Sequence, residues 1–252
     1  YLFMFYILNT IMRILILRWC VALNMIHCLM FPSIECVHLL LGFMTSIMFS
    51  IINTIVIKIA HIKGIELIQP NVKDVQRIDW ELYPVYVATN SLTTIWFTSW
   101  LWVYLPISTQ NISLSNTIGA FIQMMLIYDF IYYFCHRFMH SNRFVYINMH
   151  KTHHQIVNPT GFFDGLYVHP VEYLIFLWLM YLPLYIVDTH IVGILMYIIS
   201  IFDVGFMYHI GLKFPSFLPV LNPKFHDDHH RRNIVNFSFF TELPDFIFQT
   251  LL

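Results

Sequence analysis

Residues 121–154 read FIQMMLIYDFIYYFCHRFMHSNRFVYINMHKTHH, an apolar run that leads directly into two clusters of histidines. A helix needs about 20 mostly apolar residues to cross the hydrocarbon core of a membrane, and the run over 116–135 has that length. Side chains three or four residues apart share one face of a helix. Each cluster, and a third one later in the chain, therefore directs two or three imidazoles to one place: His136 and His140; His150, His153 and His154; His226, His229 and His230.

This histidine spacing predicts a metal centre. Imidazole is the commonest metal-binding side chain and suits iron, zinc and copper. A single histidine is more often a solvated or core residue, but eight of them at ligand spacing within 95 residues are not expected by chance.

The composition indicates a membrane protein. Of the 252 residues, 58% are hydrophobic and 11% are charged, whereas a soluble domain carries about 25% charged residues. The net charge of −1 at pH 7 gives no reason to expect a nucleic-acid partner. The cysteines lack CxxC spacing and read as buried thiols rather than disulfides or a zinc site: Cys20, Cys28, Cys36 and Cys135.

The apolar runs predict an all-α integral membrane fold. Basic residues flank the histidine clusters, and the positive-inside rule places them, with all three clusters, on the cytosolic side. We expect two transmembrane helical hairpins, 91–135 and 171–209, under a cytosolic histidine-rich helical cap made of 136–170 and 210–235. An N-terminal hydrophobic helical extension over 1–65, an anchor or partner contact, precedes the membrane domain over 66–252. The candidate spans are 1–30, 37–57, 91–108, 116–135, 171–187 and 190–209.

Two further histidines fit the same centre. His169 precedes the fifth span and His209 ends the sixth. With them the ten imidazoles suffice for two metal ions with four or five nitrogens each. Iron is the redox-active choice for dioxygen and an unactivated C–H bond, whereas zinc would indicate a structural site. Carboxylates expected to accept the distal imidazole N–H are Asp129, Asp164, Glu172, Asp203, Asp227 and Asp228. Four histidines without spaced partners are left out: His27, His38, His61 and His190.

The order of the motifs resembles the fatty acid hydroxylase/sterol desaturase superfamily, and within it the C-4 methylsterol oxidases. The resemblance covers about 120–250 and rests on six elements in the family's order: HRFMH (136–140), HKTHH (150–154), Pro159 with Gly161, YVHPVE (167–172), HIGLKFP (209–215), and HDDHH (226–230) with NFS (236–238).

The resemblance implies a non-haem diiron oxygenase with two iron ions. Such an enzyme hydroxylates a lipid C–H bond with O₂, here a C-4 methylsterol, using electrons from cytochrome b5 and its reductase. The resemblance further implies residence in the endoplasmic reticulum and entry of the lipid from the bilayer between the hairpins. Aromatic residues expected along that path are Phe162, Phe163, Tyr167 and Phe206.

The C-terminal segment departs from the family pattern and keeps alternatives open. The family commonly closes with Trp-Trp-Asp…Phe-Gly-Thr, whereas 241–250 reads TELPDFIFQT. Ile210 replaces a small serine. Alternative enzymes are a sterol C-5 desaturase, a sterol side-chain hydroxylase, a fatty acid hydroxylase and an alkylglycerol monooxygenase. The alternative from another class is a non-catalytic structural subunit of a larger membrane complex, for example in the mitochondrial inner membrane. It would hold zinc or no metal and would contact other subunits through the N-terminal helices.

Overall fold

The structure is a computed structural model that describes residues 62–69, 78–104, 111–159, 161–213 and 223–252, with isolated positions between 44 and 59. Most of the predicted N-terminal extension, with the spans 1–30 and 37–57, lies outside the described residues. The described chain is helical, with an isolated antiparallel bridge between Leu67 and Leu212. Its α-helices are α1 (Leu82–Tyr104), α2 (Ala120–Ser141), α3 (Arg143–Asn148), α4 (Pro170–Ile186), α5 (Ile191–Met207), α6 (Pro223–Arg232) and α7 (Leu243–Ile247).

Three short helices of other types lie between these α-helices. A π-helical turn, Ser115–Gly119, leads into α2, and 3₁₀-helices cover His150–Gln155 and Phe162–Leu166. The second histidine cluster therefore lies on a 3₁₀-helix, where neighbouring side chains differ in direction by about 120°. The first and third clusters lie on α2 and α6.

The four long helices match the last four predicted spans with shifted boundaries. Helix α1 begins nine residues before the predicted start at 91. Its first turns contain Pro84 and Asn90, which lower the hydropathy, yet Asn90 is fully buried and donates to the carbonyl oxygens of Leu166 and Val168. Hydropathy cannot anticipate a polar residue whose partners lie in a distant loop.

One helical run among the described residues, Ser115–Ser141, is long and apolar enough to cross a membrane. Helices α4 and α5 are apolar but have 17 residues each, which is about 25 Å of helix. Helix α2 also exposes large apolar side chains on its outer face, namely Ile122, Leu126, Phe134 and Phe138. Exposed apolar side chains of this kind occur where a surface meets lipid or a protein partner.

The core lies where α1, α2, α4 and α5 meet. Phe97, Met124, Met180 and Tyr197 are at most 1% exposed there. At one end, the N–H of His190, in the turn between α4 and α5, donates to the carbonyl oxygen of Asn116. The start of α2 is thereby tied to that turn, and the histidines at the other end of α2 meet α6 and the 3₁₀-helix.

Candidate metal centre

The three histidine clusters converge into two neighbouring groups. Within each group the potential ligand nitrogens all lie within 4.8 Å of one another. The rings of His154 and His230, one from each group, have centroids 4.7 Å apart. The five-histidine group consists of His136, His140, His150, His154 and His229, and the four-histidine group consists of His153, His209, His226 and His230.

The Nε2 atoms of each group crowd around a common point. In the five-histidine group, Nε2 of His150 lies 2.7 Å from that of His140 and 3.0 Å from that of His154. In the four-histidine group, Nε2 of His209 lies 3.2 Å from that of His153 and 3.1 Å from that of His226. Nitrogens bound at about 2.1 Å from one ion would lie about 3.0 Å apart in octahedral and about 3.4 Å apart in tetrahedral geometry.

The outer nitrogens fix the tautomers that such binding requires. Nδ1 of His136 lies 2.8 Å from the carbonyl oxygen of Phe237, and Nδ1 of His229 lies 2.7 Å from that of Val235. Nδ1 of His209 lies 2.7 Å from the carbonyl oxygen of Gly205. A carbonyl oxygen only accepts, so each Nδ1 must carry the proton and each Nε2 presents a lone pair. Lone pairs this close repel each other unless a cation lies between them.

Burial keeps the imidazoles neutral. It lowers the pKa of six histidines outside the apolar helices well below the ordinary value of 6.5, because a charged ring would lose its hydration, and neighbouring imidazoles lower it further. These histidines are His150, His153, His154, His226, His229 and His230. Neutral rings with inward lone pairs are what a transition-metal ion needs, so both groups fit iron or zinc.

His169, the tenth predicted ligand, belongs to neither group. It precedes α4, where its Nδ1 accepts the N–H of Val171, and its ring packs edge-on against Tyr86. In the structure it caps the helix that begins with Pro170, and its metal ligation stays a prediction.

One predicted carboxylate contacts an imidazole as expected. Oε1 of Glu172 lies 2.6 Å from Nδ1 of His150, and both side chains are 1% exposed. This contact orients the ring of a member of the five-histidine group, as a second-layer carboxylate does in metal sites.

Four of the other carboxylates have hydrogen bonds or ion pairs with groups other than imidazoles. Asp129 accepts from the backbone N–H groups of 239–241 and from the hydroxyl of Thr241, so it holds the C-terminal segment rather than an imidazole. Asp227 accepts from Gln69, and Asp228 pairs with Lys224 and Arg231. Asp164 accepts from the hydroxyl of Tyr83, and Asp203 is half-buried on α5. Side chains on the same helical turn as a ligand can point away from it, which spacing alone does not reveal.

A mostly apolar cavity adjoins both groups. The cavity has a volume of about 110 Å³. Members of both groups contribute to its wall, as do Glu172 and four tyrosines, Tyr128, Tyr132, Tyr173 and Tyr208. The members of the two groups in the wall are His150, His153, His209 and His226. The other described lining residues are Gly165, Leu166, Val168, Phe176, Leu177, Met180, Ile201, Phe202, Gly205 and Phe239.

Two of the four residues predicted along the substrate path do not line this cavity. Phe163 is 52% exposed, and Tyr167 is fully buried with its hydroxyl donating to Gln155. The side chains of Phe162 and Phe206 lie outside the described residues. The aromatic part of the wall comes instead from α2, α4 and α5, through residues such as Tyr132 and Phe176. Only the packing of the helices, and not the sequence, distinguishes these residues from ordinary core residues.

Sequence reasoning also missed the residues that support the centre from outside. A Cβ on Gly165 would lie 3.1 Å from Nδ1 of His209, so the absent side chain makes room for that ring. The carbonyls of Val235 and Phe237 leave no trace in a sequence. Asp245 was signalled only by its place in the altered C-terminal segment.

Comparison with known proteins gives one matching family model and several curated relatives. The fatty acid hydroxylase model matches residues 121–250. Sphinganine C4-monooxygenase 1 of Arabidopsis thaliana is 32% identical over 147 residues, covering 52% of this chain and 52% of that protein. Methylsterol monooxygenase 1 of Gallus gallus is 32% identical over 118 residues, covering 45% of this chain and 39% of that protein.

The match to a third relative is shorter. Fatty acid hydroxylase domain-containing protein 2 of Homo sapiens is 35% identical over 107 residues, covering 42% of this chain and 30% of that protein. The chain spans a quarter to about half of the length of the first curated relatives. No solved structure gives a significant match.

Proposed function

The chain belongs to the fatty acid hydroxylase family, and from that premise we propose that it is a membrane-bound, O₂-dependent lipid hydroxylase with two irons. The observation that carries the proposal is the cavity wall, in which apolar side chains from α4 and α5 adjoin His150, His153, His209 and His226. An apolar pocket that ends at a cluster of imidazoles can hold a hydrocarbon beside a metal centre.

The nine histidines of the two groups would hold the metal. With iron bound, such a centre supplies the redox chemistry that reduces dioxygen and oxidises a C–H bond. The overall reaction is R–H + O₂ + two electrons + two protons giving R–OH + H₂O, so a separate reductant must deliver the electrons.

The chain's own side chains bind and orient the substrate in this scheme. Leu177, Met180 and Ile201 would hold the hydrocarbon and exclude water from the wall of the cavity. Glu172 keeps the ring of His150 in place. The tyrosines at the cavity bring hydroxyl groups that could receive a polar group of the lipid.

The finer assignment is oxidation of a C-4 methylsterol in the endoplasmic reticulum. The HKTHH and YVHPVE motifs and the identity to methylsterol monooxygenases support it. The sphinganine C4-monooxygenase relatives make a long-chain base the second substrate to test.

The surface charge supports electron delivery by a cytosolic acidic donor of the cytochrome b5 type. Five basic side chains near the histidines are exposed: Arg137, Arg143, Lys151, Arg231 and Arg232. Exposed basic residues steer acidic partners and favour the cytosolic side of a membrane.

The test is turnover by the full chain purified in detergent and loaded with iron. The protein is supplied with ¹⁸O₂, cytochrome b5 and its reductase, and in separate reactions with a 4-methylsterol, sphinganine or a fatty acid. Mass spectrometry should find one ¹⁸O in the product of one lipid class, and His226→Ala should abolish it. If iron-replete protein oxidises none of the lipids, or if only zinc or no metal is retained after growth in iron, a structural subunit becomes the better interpretation.

A further inference from the structure

The carboxylate of Asp245 is a fully buried anchor in the C-terminal segment, defined here as residues 235–252. Its Oδ1 accepts from the N–H of Phe237 at 2.8 Å and from the hydroxyl of Thr250 at 2.6 Å. Its Oδ2 accepts from the N–H and the hydroxyl of Ser238. Four donors converge on one carboxylate that is 0% exposed, which is the arrangement expected where a backbone segment must be held in one position.

The backbone held by Asp245 is the backbone that contacts two predicted ligands. Phe237 donates its N–H to Asp245 and accepts from Nδ1 of His136 through its carbonyl oxygen. Two residues earlier, the carbonyl oxygen of Val235 accepts from Nδ1 of His229. Asn236, between them, has a φ of 57°, and its N–H donates to the carbonyl oxygen of Thr250. The C-terminal segment therefore reaches His136 and His229 through one short stretch.

We propose that Asp245 is a positioning residue of the five-histidine group, which fixes the carbonyls of Val235 and Phe237 and through them the rings of His229 and His136. The inference rests on the proposed function, because it takes these histidines to be metal ligands. An amide at position 245 would place an NH₂ group against backbone or hydroxyl donors, so the carboxylate cannot be replaced by its neutral isostere without loss.

The structure makes the expected effect selective. In the four-histidine group, Nδ1 of His209 is held by the carbonyl oxygen of Gly205 on α5, which has no bond to Asp245. Loss of the carboxylate should therefore weaken one metal ion and spare the other.

Asp129 provides a matched control. It is also 0% exposed and accepts four hydrogen bonds from the same C-terminal segment, but from residues 239–241. Asp129→Asn should loosen the segment about as much as Asp245→Asn without releasing the backbone that contacts His136.

The experiment is a Co²⁺ titration of the metal-stripped full chain in detergent, followed by visible absorption. Wild type should bind two equivalents. Asp245→Asn should bind one ion as wild type does and the other about tenfold more weakly, with a changed absorption band. Asp129→Asn should keep both affinities and both bands.

Two equivalents with wild-type affinities and spectrum in Asp245→Asn would overturn the inference and leave the proposed function standing. The same weakening in Asp129→Asn would overturn it too, because general loosening would then suffice. A wild type that binds no Co²⁺ would overturn both. If Asp245→Asn does not fold, Thr250→Val removes one donor and keeps the carboxylate. It should weaken the same ion by a smaller factor, and an unchanged affinity would refute the inference.

Discussion

Removing one histidine from each group should separate the two metal ions. His153 belongs to the four-histidine group and His229 to the five-histidine group. If the groups are two binding sites, His153→Ala leaves three imidazoles for one ion and the full set for the other. His229→Ala leaves four imidazoles in its group.

The magnitude follows from the number of donors. Zinc sites with four ligands have apparent binding free energies of about 10–16 kcal/mol, or about 2.5–4 kcal/mol per ligand. Since 1.4 kcal/mol is a factor of ten, one lost ligand should cost about 10²–10³-fold in affinity. His153→Ala should therefore lose one of two ions when a competing chelator is present. His229→Ala should lose less affinity, because four donors still complete a coordination shell.

The assay is metal content by mass spectrometry after equilibration of detergent-purified protein with Co²⁺ and a chelator. His190→Ala is the control, since that half-buried ring lies in the turn between α4 and α5 and accepts the N–H of Val192. It should keep two ions. Retention of both ions by His153→Ala, or loss of both in parallel at every chelator concentration, would refute the division into two sites.

Three further outcomes follow from the same structure. Gln249 is exposed and has a φ of 57°, so Gln249→Gly should raise the unfolding free energy by about 0.5–1 kcal/mol in a denaturation curve, whereas Gln249→Ala should not. Gly165→Ala should push His209 off the carbonyl of Gly205 and weaken one Co²⁺ ion, whereas Gly119→Ala, with only ordinary contacts, should not. Because burial lowers the pKa of the histidines, the unfolded chain binds more protons below pH 6.5. The free energy of unfolding of metal-stripped protein should therefore fall as pH decreases, by up to about 1.4 kcal/mol per pH unit per histidine, and the unfolding temperature should fall with it. A rise on acidification would contradict the neutral state of the buried rings.

The sequence was informative where periodicity and spacing carry structural information. Long apolar runs located α2, α4 and α5, and histidine spacing identified nine residues that the fold brings together. The sequence could not show how these nine histidines divide between the two groups. His153 and His154 are neighbours, as are His229 and His230, yet each pair splits between the two groups. Successive side chains turn by about 100° in an α-helix and about 120° in a 3₁₀-helix, so adjacent imidazoles necessarily point to different places.

Two residues predicted along the substrate path, Phe163 and Tyr167, do not line the cavity, for a different physical reason. Aromatic residues next to a motif are equally compatible with a cavity wall, a core or a surface. The ring of Tyr167 is buried against Tyr83 and Tyr86, whereas Phe163, on the neighbouring 3₁₀-helix, is exposed. Which aromatic residues face a cavity depends on how α2, α4 and α5 pack, and no local pattern records that.

In the sequence, the altered C-terminus favours a structural subunit. The structure weakens that argument. The tryptophans and the glycine of the family pattern are missing, but Asp245 and Thr250 are present and make the hydrogen bonds that hold residues 237 and 238. At position 249 the backbone keeps the left-handed conformation that glycine would adopt most easily, although glutamine stands there. The substitutions thus remove side chains and add local strain without removing the carbonyls that contact His136 and His229. The hydrogen bonds of Asp245 therefore keep the backbone beside two imidazoles in the position that a metal centre would need.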